Sequence, residues 1–511
     1  MLCRPAMSIN MLPDDILLEV FDFFVIEYRF VKREIEAWQS LVHVCQRWRS
    51  LVFGSPHRLN LRLYCVTHTQ TRVKDTLDVW PAFPLLIRGG VLDVEDIYGL
   101  EDSIDGTEVV DETEQLDNTI AALGRSDRVC QINLVNFSSS FLENVSTVMQ
   151  KPFPELTSLQ LSSSKIEAET ALPDLFLGGS APPRLRYLTL VGIPFPGLPK
   201  LLSSATHLGS LDLDDIPHSG DISPEAIVTV LSTLTCLSSL SLGFRSPLSR
   251  PEPESRRPPP LTRSVIPSLF WLCFIGVGEY LEDLVARINT PRLNSLSITF
   301  FNQIVFDTPQ TIQFINRTSI LKTPKEAHLI FEEKGSIVNL KPLKLSRGPY
   351  SGCGMLTVKT SCEEFDWQVS ALEQVCTSCL PSLSVVEDLY IQETPQSPPC
   401  SWQNDIDNAL WLQLLSPFPC VKNLYLIGDY AKYIAPALQE LVGGRTTEVL
   451  PALENIFLEG LMPSGFNVKP QEGIVKFVAA RQLTDYPISL LPFSLWDTEF
   501  GGLIRLMQKW K

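Results

Sequence analysis

One short pattern recurs along this chain and limits the folds that it can adopt. An aliphatic residue is followed by two other residues, a second aliphatic residue, one further residue and a third apolar residue. Ten copies begin at Val129, Leu156, Leu185, Leu208, Leu237, Leu269, Leu293, Val386, Val421 and Leu453. Successive copies start 23 to 35 residues apart, except for one interval of 93 residues. We interpret that interval as degenerate copies that fill residues 300–383.

The spacing within each copy predicts its local structure. The second and third apolar residues are two positions apart, so in a β-strand they face the same side of a sheet. The first apolar residue lies in the turn before the strand. In six copies a proline stands two residues ahead of it, which ends the preceding helix. Between the copies, helical spacing predicts helices over 223–234, 279–288, 431–442 and 470–480.

One strand and one helix in every 23 to 35 residues are typical of a leucine-rich repeat. The pattern therefore predicts an α/β fold, with an irregular leucine-rich-repeat solenoid, or horseshoe, over residues 126–491. The repeats are irregular because the asparagine expected three residues after the third apolar position is missing. In the first five copies that position holds Phe137, Ser164, Ile193, Ile216 and Arg245. An ordinary α/β domain with parallel strands is the alternative interpretation.

A solenoid would present the residues between the second and third apolar positions on its concave wall of strands. These residues are small, hydroxylic or aromatic in most copies, which suits a protein-binding face. The candidates for substrate binding are Gln160, Thr189, Asp212, Ser241, Ser297, Tyr390 and Tyr425.

Length and composition exclude several classes of protein. A chain of 511 residues with 44% apolar residues can bury a large core, but it is too long for one compact domain unless it is a repeat array. The formal net charge of −16 argues against a dedicated nucleic-acid-binding protein. The longest uncharged apolar stretch, 264–278, has fifteen residues, and a membrane-spanning helix needs about twenty.

Acidic residues interrupt the first 24 positions, so no secretory signal is expected. The twelve scattered cysteines are therefore interpreted as reduced core residues. Together these features predict a cytoplasmic or nuclear protein that binds neither membrane nor nucleic acid.

Charge and proline are unevenly distributed. Residues 93–117 hold eleven carboxylates and no lysine or arginine, whereas 28–74 hold nine basic residues. The acidic stretch is interpreted as a solvated loop in the connecting region 66–125; docking of a basic partner, or covering of the basic N-terminal region, is the alternative. The segment 245–260 contains six prolines and is interpreted as a surface excursion between repeats.

Two short helices are predicted near the N-terminus. One helical face carries Leu12, Ile16, Leu17, Val20, Phe21 and Phe24. A second helical stripe carries Trp38, Leu41, Cys45, Trp48 and Val52. A small helical domain that packs these residues inside itself would account for both stripes.

The same residues resemble an F-box. The matching segments are Leu12-Pro13-Asp14-Asp15-Ile16-Leu17 and Val44-Cys45-Gln46-Arg47-Trp48. The resemblance covers about fifty residues, and the segment 25–37 between the two halves is longer than is usual in the family. The residues that follow are similar to those of fungal F-box-like proteins.

The resemblance implies a binding role without catalysis. F-box helices dock on the Skp-type adaptor of a cullin–RING ubiquitin ligase, and a repeat array in such proteins holds the substrate. The chain would then have an F-box-like domain at 8–65, the connecting region, the solenoid and a C-terminal cap at 492–511. The adaptor-binding candidates are Leu12, Pro13, Ile16, Leu17, Val20, Phe21, Trp38, Leu41, Val44, Cys45 and Trp48. A repeat scaffold that joins no ligase is the alternative.

Signatures of chemistry are missing from the sequence. There is no phosphate-binding loop, no nucleophile elbow and no zinc-protease motif. Cys376 and Cys379 form one C-x-x-C pair, but no second pair stands at zinc spacing. We therefore expect no enzyme, cofactor or metal, and an enzyme with an unrecognised site remains the third interpretation.

Overall fold

A computed structural model describes residues 9, 12–28, 37–56, 58–67, 72–90, 111–163, 170–246, 262–301, 306–318, 321, 323–342, 355–362, 365–380, 383–393, 407–459 and 471–493. They form two compact units, Met1–Ile222 and Ser223–Lys511, called here the N-terminal and C-terminal units. Both are mixed α/β structures built on parallel strands.

The N-terminal unit begins with three helices, α1 (Asp14–Tyr28), α2 (Ala37–Val42) and α3 (Gln46–Gly54). Asp14 and Asp15 lie in the first turn of α1, where carboxylates favour the positive end of the helix dipole. The Cys45 sulfur caps α3 by accepting a hydrogen bond from the Trp48 N–H at 3.5 Å. The first predicted helix is thus confirmed as α1, but the prediction of one second helix is wrong: its stripe is divided between α2 and α3, because the chain turns at residues 43–45 and Cys45 caps α3.

Six strands of this unit pair in chain order, and every pair is parallel. They are β1 (Leu63–Val66), β2 (Leu85–Gly90), β3 (Val129–Phe137), β4 (Ser158–Ser163), β5 (Tyr187–Val191) and β6 (Ser210–Ile216). The helices between them are α4 (Val73–Val79), α5 (Glu112–Leu123), α6 (Ser139–Val148) and α7 (Leu198–Leu202).

The C-terminal unit continues the alternation of strand and helix. Its strands are β7 (Ser239–Phe244), β8 (Ser264–Val265), β9 (Trp271–Gly276), β10 (Ile288–Asn289), β11 (Ser295–Phe301), β12 (Glu326–Glu332), β13 (Gly335–Lys341), β14 (Leu356–Ser361), β15 (Asp388–Glu393), β16 (Asn423–Leu426), β17 (Asn455–Glu459) and β18 (Ser489–Phe493). Its helices are α8 (Pro224–Leu231), α9 (Gly278–Arg287), α10 (Pro309–Arg317), α11 (Phe365–Gln374), α12 (Asn408–Leu415), α13 (Tyr430–Glu440) and α14 (Glu472–Gln482). β8 and β10 form a separate parallel pair.

All ten copies of the repeated pattern are strands, namely β3 to β7, β9, β11 and β15 to β17. The three apolar positions are buried in every copy, as predicted. A turn recurs before the strands: the first apolar residue donates its N–H to the carbonyl three residues earlier, as Leu156 does to Phe153 at 3.1 Å. The four predicted helices also form, and the Ser223 side chain caps α8 by accepting from the Ala226 N–H at 3.2 Å.

The interpretation of 300–383 as degenerate copies is wrong. In the C-terminal unit the strand order is β7-β9-β11-β14-β13-β12-β15-β16-β17-β18, and β13 runs antiparallel to both β12 and β14. A two-residue turn, Glu333-Lys334, reverses the chain between β12 and β13. Gly335 then allows close approach of β14, because a Cβ there would lie 2.4 Å from the Thr360 carbonyl oxygen. An antiparallel meander therefore replaces the expected copies.

Other expectations fall outside the described residues. This group contains most of the acidic stretch, most of the proline-rich segment, nearly all of the C-terminal cap and most of the insert 25–37, whose first residues belong to α1. The boundary between the two units at Ile222 lies within the stretch expected to form the solenoid. The expected division into four segments therefore stays a prediction.

Two neighbouring residues of α1 give a test of the packing. Leu17 is 0% exposed and Ile16 is 44% exposed. We expect Leu17→Ala to lower the free energy of unfolding by about 2–5 kcal/mol, because it leaves a cavity, and Ile16→Ala to change it by less than about 0.5 kcal/mol. Urea unfolding of both variants measures the difference, and equal effects would contradict the described orientation of α1.

Candidate binding surfaces

The two halves of the N-terminal motif meet in the structure. Arg47 in α3 donates its Nε to the Asp14 carboxylate at 3.1 Å, although the two residues are 33 positions apart. The same guanidinium donates Nη2 to the Leu12 carbonyl at 2.6 Å. Phe21 packs on Trp48 with a centroid distance of 4.7 Å. An ion pair and an aromatic contact thus join α1 to α3 across the long insert.

Four of the predicted adaptor contacts are part of the core of this unit. Leu17, Phe21, Trp38 and Leu41 are all buried. The Trp38 ring packs against Trp80 and Phe83, with centroid distances of 5.2 and 5.3 Å. Its Nε1 donates a hydrogen bond to the Arg62 carbonyl oxygen at 3.2 Å. A buried side chain offers little surface to a partner, so these four residues hold the helices in place.

The remaining predicted contacts lie at or near the surface. Ile16, Val20 and Val44 are exposed large apolar side chains, and Pro13 is also exposed. Leu12, Cys45 and Trp48 are half-buried. Phe23, which was not predicted as a contact, is 68% exposed. Its position seven residues after Ile16 is the sequence signal that places it on the same face.

We call Ile16, Val20 and Phe23 of α1, together with Pro13 immediately before the helix, the exposed α1 face. Their spacing places them along one side of the helix, and Leu17, Leu18 and Phe21 occupy the buried side. α1 is therefore apolar on two sides, of which one is buried within its own unit and the other is exposed.

An open cavity of about 500 Å³ lies beside these helices. Its apolar lining includes Phe53, Val79, Trp80 and Pro81. Arg49 also lines the cavity, and its Nε donates to the Val42 carbonyl at 3.0 Å. The guanidinium is therefore partly engaged within its own unit.

The predicted substrate-binding residues lie in register. In the N-terminal unit Gln160 is paired with Thr189, and Thr189 with Asp212, across β4, β5 and β6. In the C-terminal unit Ser241 and Ser297 both pair with Cys273, and Tyr390 pairs with Tyr425. Ser241 and Tyr390 are buried, and the others are half-buried. In each unit the predicted residues therefore share one row of the sheet face.

Four stacked rings dominate the row in the C-terminal unit. His328 stacks on Tyr390 at 4.3 Å, Tyr390 on Tyr425 at 4.2 Å, and Tyr425 on Phe457 at 4.5 Å, with interplanar angles of 6° to 8°. We call these four residues the aromatic ladder. The parallel register of β12, β15, β16 and β17 sets its spacing, because neighbouring strands lie about 4.8 Å apart.

Sequence reasoning found the two tyrosines of the aromatic ladder but missed its ends. Phe457 lies between the second and third apolar residues of its copy, as Tyr390 and Tyr425 do in theirs. Its position in the repeated pattern could therefore have predicted it. His328 lies outside the ten copies, and only the pairing of β12 with β15 brings it into the row.

A polar row borders the aromatic ladder. Asn423 donates its amide to the Asp388 carboxylate at 2.6 Å, and Asn455 donates to the Asn423 side-chain oxygen at 2.8 Å. On the other side Glu459 accepts the Gly428 N–H at 2.9 Å. Two carboxylates held by neutral donors thus flank the rings.

The C-x-x-C pair is buried in a short π-helical turn at Val375–Cys379. Burial raises the pKa of the Cys376 thiol, and it raises that of Cys379 to about 12.

Among the described residues, no group of three or more His, Cys, Asp or Glu side chains could hold a metal ion. In the same part of the chain, no helix has the length and apolar character needed to cross a membrane.

Comparisons with known proteins gave no family assignment. A scan of protein-family models and a search of curated proteins both found no match to this chain.

Thiol reactivity tests the environment of the C-x-x-C pair. In the folded protein at slightly alkaline pH, Cys236 and Cys420 are exposed and should be alkylated first. Cys376 and Cys379 should react only on unfolding, because the reactive thiolate is disfavoured by burial. Mass-spectrometric mapping of alkylated cysteines measures the order. Equal rates in the folded protein would contradict the described packing.

The pH dependence of stability tests the buried end of the aromatic ladder. Burial lowers the pKa of His328, although Glu326 opposes the shift. The folded protein therefore favours the neutral ring, and this stability is present above the unfolded-state pKa of about 6.5 and is lost as the pH falls below it. We expect His328→Phe to reduce the loss of urea stability between neutral and mildly acidic pH.

The matched control for this measurement is His207→Phe, which changes an exposed histidine. It should leave the acid-induced loss of stability as in the unchanged protein. If His328→Phe also left that loss unchanged, the neutral state of His328 would be wrong.

Proposed function

We propose that the chain is the substrate-recognition subunit of an SCF-type ubiquitin ligase. In this proposal α1 to α3 form an F-box that binds the Skp-type adaptor, and the parallel strands belong to an irregular leucine-rich-repeat solenoid that binds a protein substrate. The chain itself performs no chemistry. It holds a substrate lysine near a ubiquitin-carrying enzyme and so raises the effective concentration of the two reactants.

The observation that carries the proposal is the exposed α1 face. Ile16, Val20 and Phe23 are 43% to 68% exposed on a helix whose opposite side is buried. Val44, from the second half of the F-box-like motif, is also exposed. An amphipathic helix that offers apolar anchors at this spacing suits a partner that binds it in a groove.

The attachment of α3 supports the proposal as well. The long insert 25–37 departs from the usual spacing of the family, but the contacts of Arg47 with Asp14 and Leu12 still join the two motif halves. The insert therefore does not separate the residues that the resemblance assigns to the adaptor.

A scaffold that joins no ligase is the second candidate function. It is favoured by the packing of Trp38 against Trp80 and Phe83, residues that lie beyond the three helices. Such contacts are expected if the helices serve to cover the end of the N-terminal sheet, because the open end of a repeat array exposes apolar edges.

Co-expression with a Skp-type adaptor, followed by size-exclusion chromatography, separates the two candidates. We expect stoichiometric co-elution of the unchanged chain. The double variant Val20→Glu, Phe23→Glu should lose it, because two charges would enter an apolar interface. The control Leu483→Glu changes an apolar side chain at the end of α14 that is 90% exposed, and it should still co-elute.

Circular dichroism and thermal unfolding must show that both variants are folded. A folded, unchanged chain that never co-elutes with the adaptor would overturn the ligase proposal and favour the scaffold. Co-elution that survives the double variant would assign adaptor binding to another surface.

A further inference from the structure

The aromatic ladder presents ring edges to a partner, because its ring faces are stacked on one another. Tyr390 is only 9% exposed, since it lies between His328 and Tyr425. Tyr425 and Phe457 are half-buried. Ring edges carry partial positive charge and pack favourably against the face of another aromatic ring or against aliphatic groups. An apolar side chain of the partner therefore suits the centre of the stripe.

The borders of the aromatic ladder carry negative charge. Asp388 lies two residues before Tyr390, and Glu459 lies two residues after Phe457, so each shares the face of its strand's ring at a distance of about 6.6 Å along the strand. Their hydrogen-bond donors, Asn423 and Gly428, are neutral and do not cancel the carboxylate charge. Lys422 interacts with Asp388, but its ammonium group is bound to Glu387. Cationic side chains of a partner suit these borders.

Two lysines near the start of β15 are already paired with a carboxylate. Lys325 and Lys422 both pair with Glu387, and Lys422 does so at 3.1 Å. Lys341 lies opposite Glu326 in the register of β12 and β13, and the two charges act in opposite directions on the pKa of His328. His328 is held neutral by burial. Asp388 and Glu459 are therefore the carboxylates that border Tyr390 and Phe457 along their own strands.

We propose that the aromatic ladder binds a short protein segment in which an aromatic or aliphatic side chain is flanked by lysine or arginine. This specifies the substrate class for the receptor proposed above and rests on that function. The centroid distances of 4.3, 4.2 and 4.5 Å give a stripe on the order of 13 Å long, which an extended segment of about four residues spans.

Selection from a peptide library tests the inference without a known substrate. The full chain is immobilised, and phage that display random peptides of about twelve residues, enough to span the stripe, are selected on it. The most enriched sequence is then synthesised with a fluorescent label, and its affinity is measured by anisotropy. We expect enriched sequences with a net positive charge and a central apolar residue.

Two variants assign the binding to the aromatic ladder. Tyr425→Ala should weaken the peptide at least about 30-fold, because it removes a central aromatic anchor. The double variant Asp388→Asn, Glu459→Gln should weaken it about 5-fold at low salt and less at high salt. The control Tyr187→Ala removes a tyrosine on β5 that is 56% exposed and should leave the affinity unchanged.

Adaptor binding of the same variants separates this inference from the ligase proposal. The ladder variants should co-elute with the adaptor, and the exposed α1 face variant should keep its affinity for the peptide. The inference is overturned if no peptide is enriched, if the enriched peptides are acidic, or if Tyr425→Ala binds as tightly as the unchanged chain. Failure of adaptor co-elution alone would contradict only the ligase proposal.

Discussion

Burial of the same three apolar positions in every copy of the repeated pattern is the constraint on which the rest of the structure depends. Two of these positions alternate with outward residues along each strand, so their burial also decides which residues form the opposite face. A slip of one residue in any strand would exchange the two faces. The register that aligns Tyr390 with Tyr425 and Phe457 is therefore set by the leucines and isoleucines beside them.

In the first five copies, the asparagine expected three residues after the third apolar position is replaced by another residue. The strands therefore keep their register without an asparagine at this position. Where an asparagine is expected, Phe137, Ile193 and Ile216 are buried. Phe137 also stacks on Phe141 of the following helix at 3.8 Å. In these three copies, a buried apolar side chain therefore occupies the position at which an asparagine is expected. In the C-terminal unit, hydrogen bonds among Asp388, Asn423 and Asn455 at the start of the strands add a polar link between neighbours.

The repeated strands and helices were predictable from sequence because their signals are local and occur many times. The meander of β12 to β14 was not, since its turn, Glu333-Lys334-Gly335, lacks the asparagine-glycine or aspartate-glycine pair that marks most two-residue hairpins. Helical spacing placed Ile16, Leu17, Val20 and Phe21 on one apolar stripe. The stripe is too wide for the sequence to show which of its residues are buried. The positions of α2 and α3 decide that Leu17 and Phe21 face inward while Ile16 and Val20 face outward.

The two candidate surfaces follow from one physical principle applied to a helix and to a sheet. α1 carries more apolar surface than its unit covers, and the sheet of the C-terminal unit carries aromatic rings on the face that its buried leucines leave outward. Exposed apolar surface of either kind favours aggregation, and it adds nothing to the stability of the folded chain. Charged groups border both surfaces: carboxylates lie beside the rings, and the Arg47–Asp14 ion pair lies beside the helix. If these surfaces bind partners as proposed, the charges would restrict which partners fit. Selectivity in this protein is therefore expected to come from the charged borders, and affinity from the apolar centres.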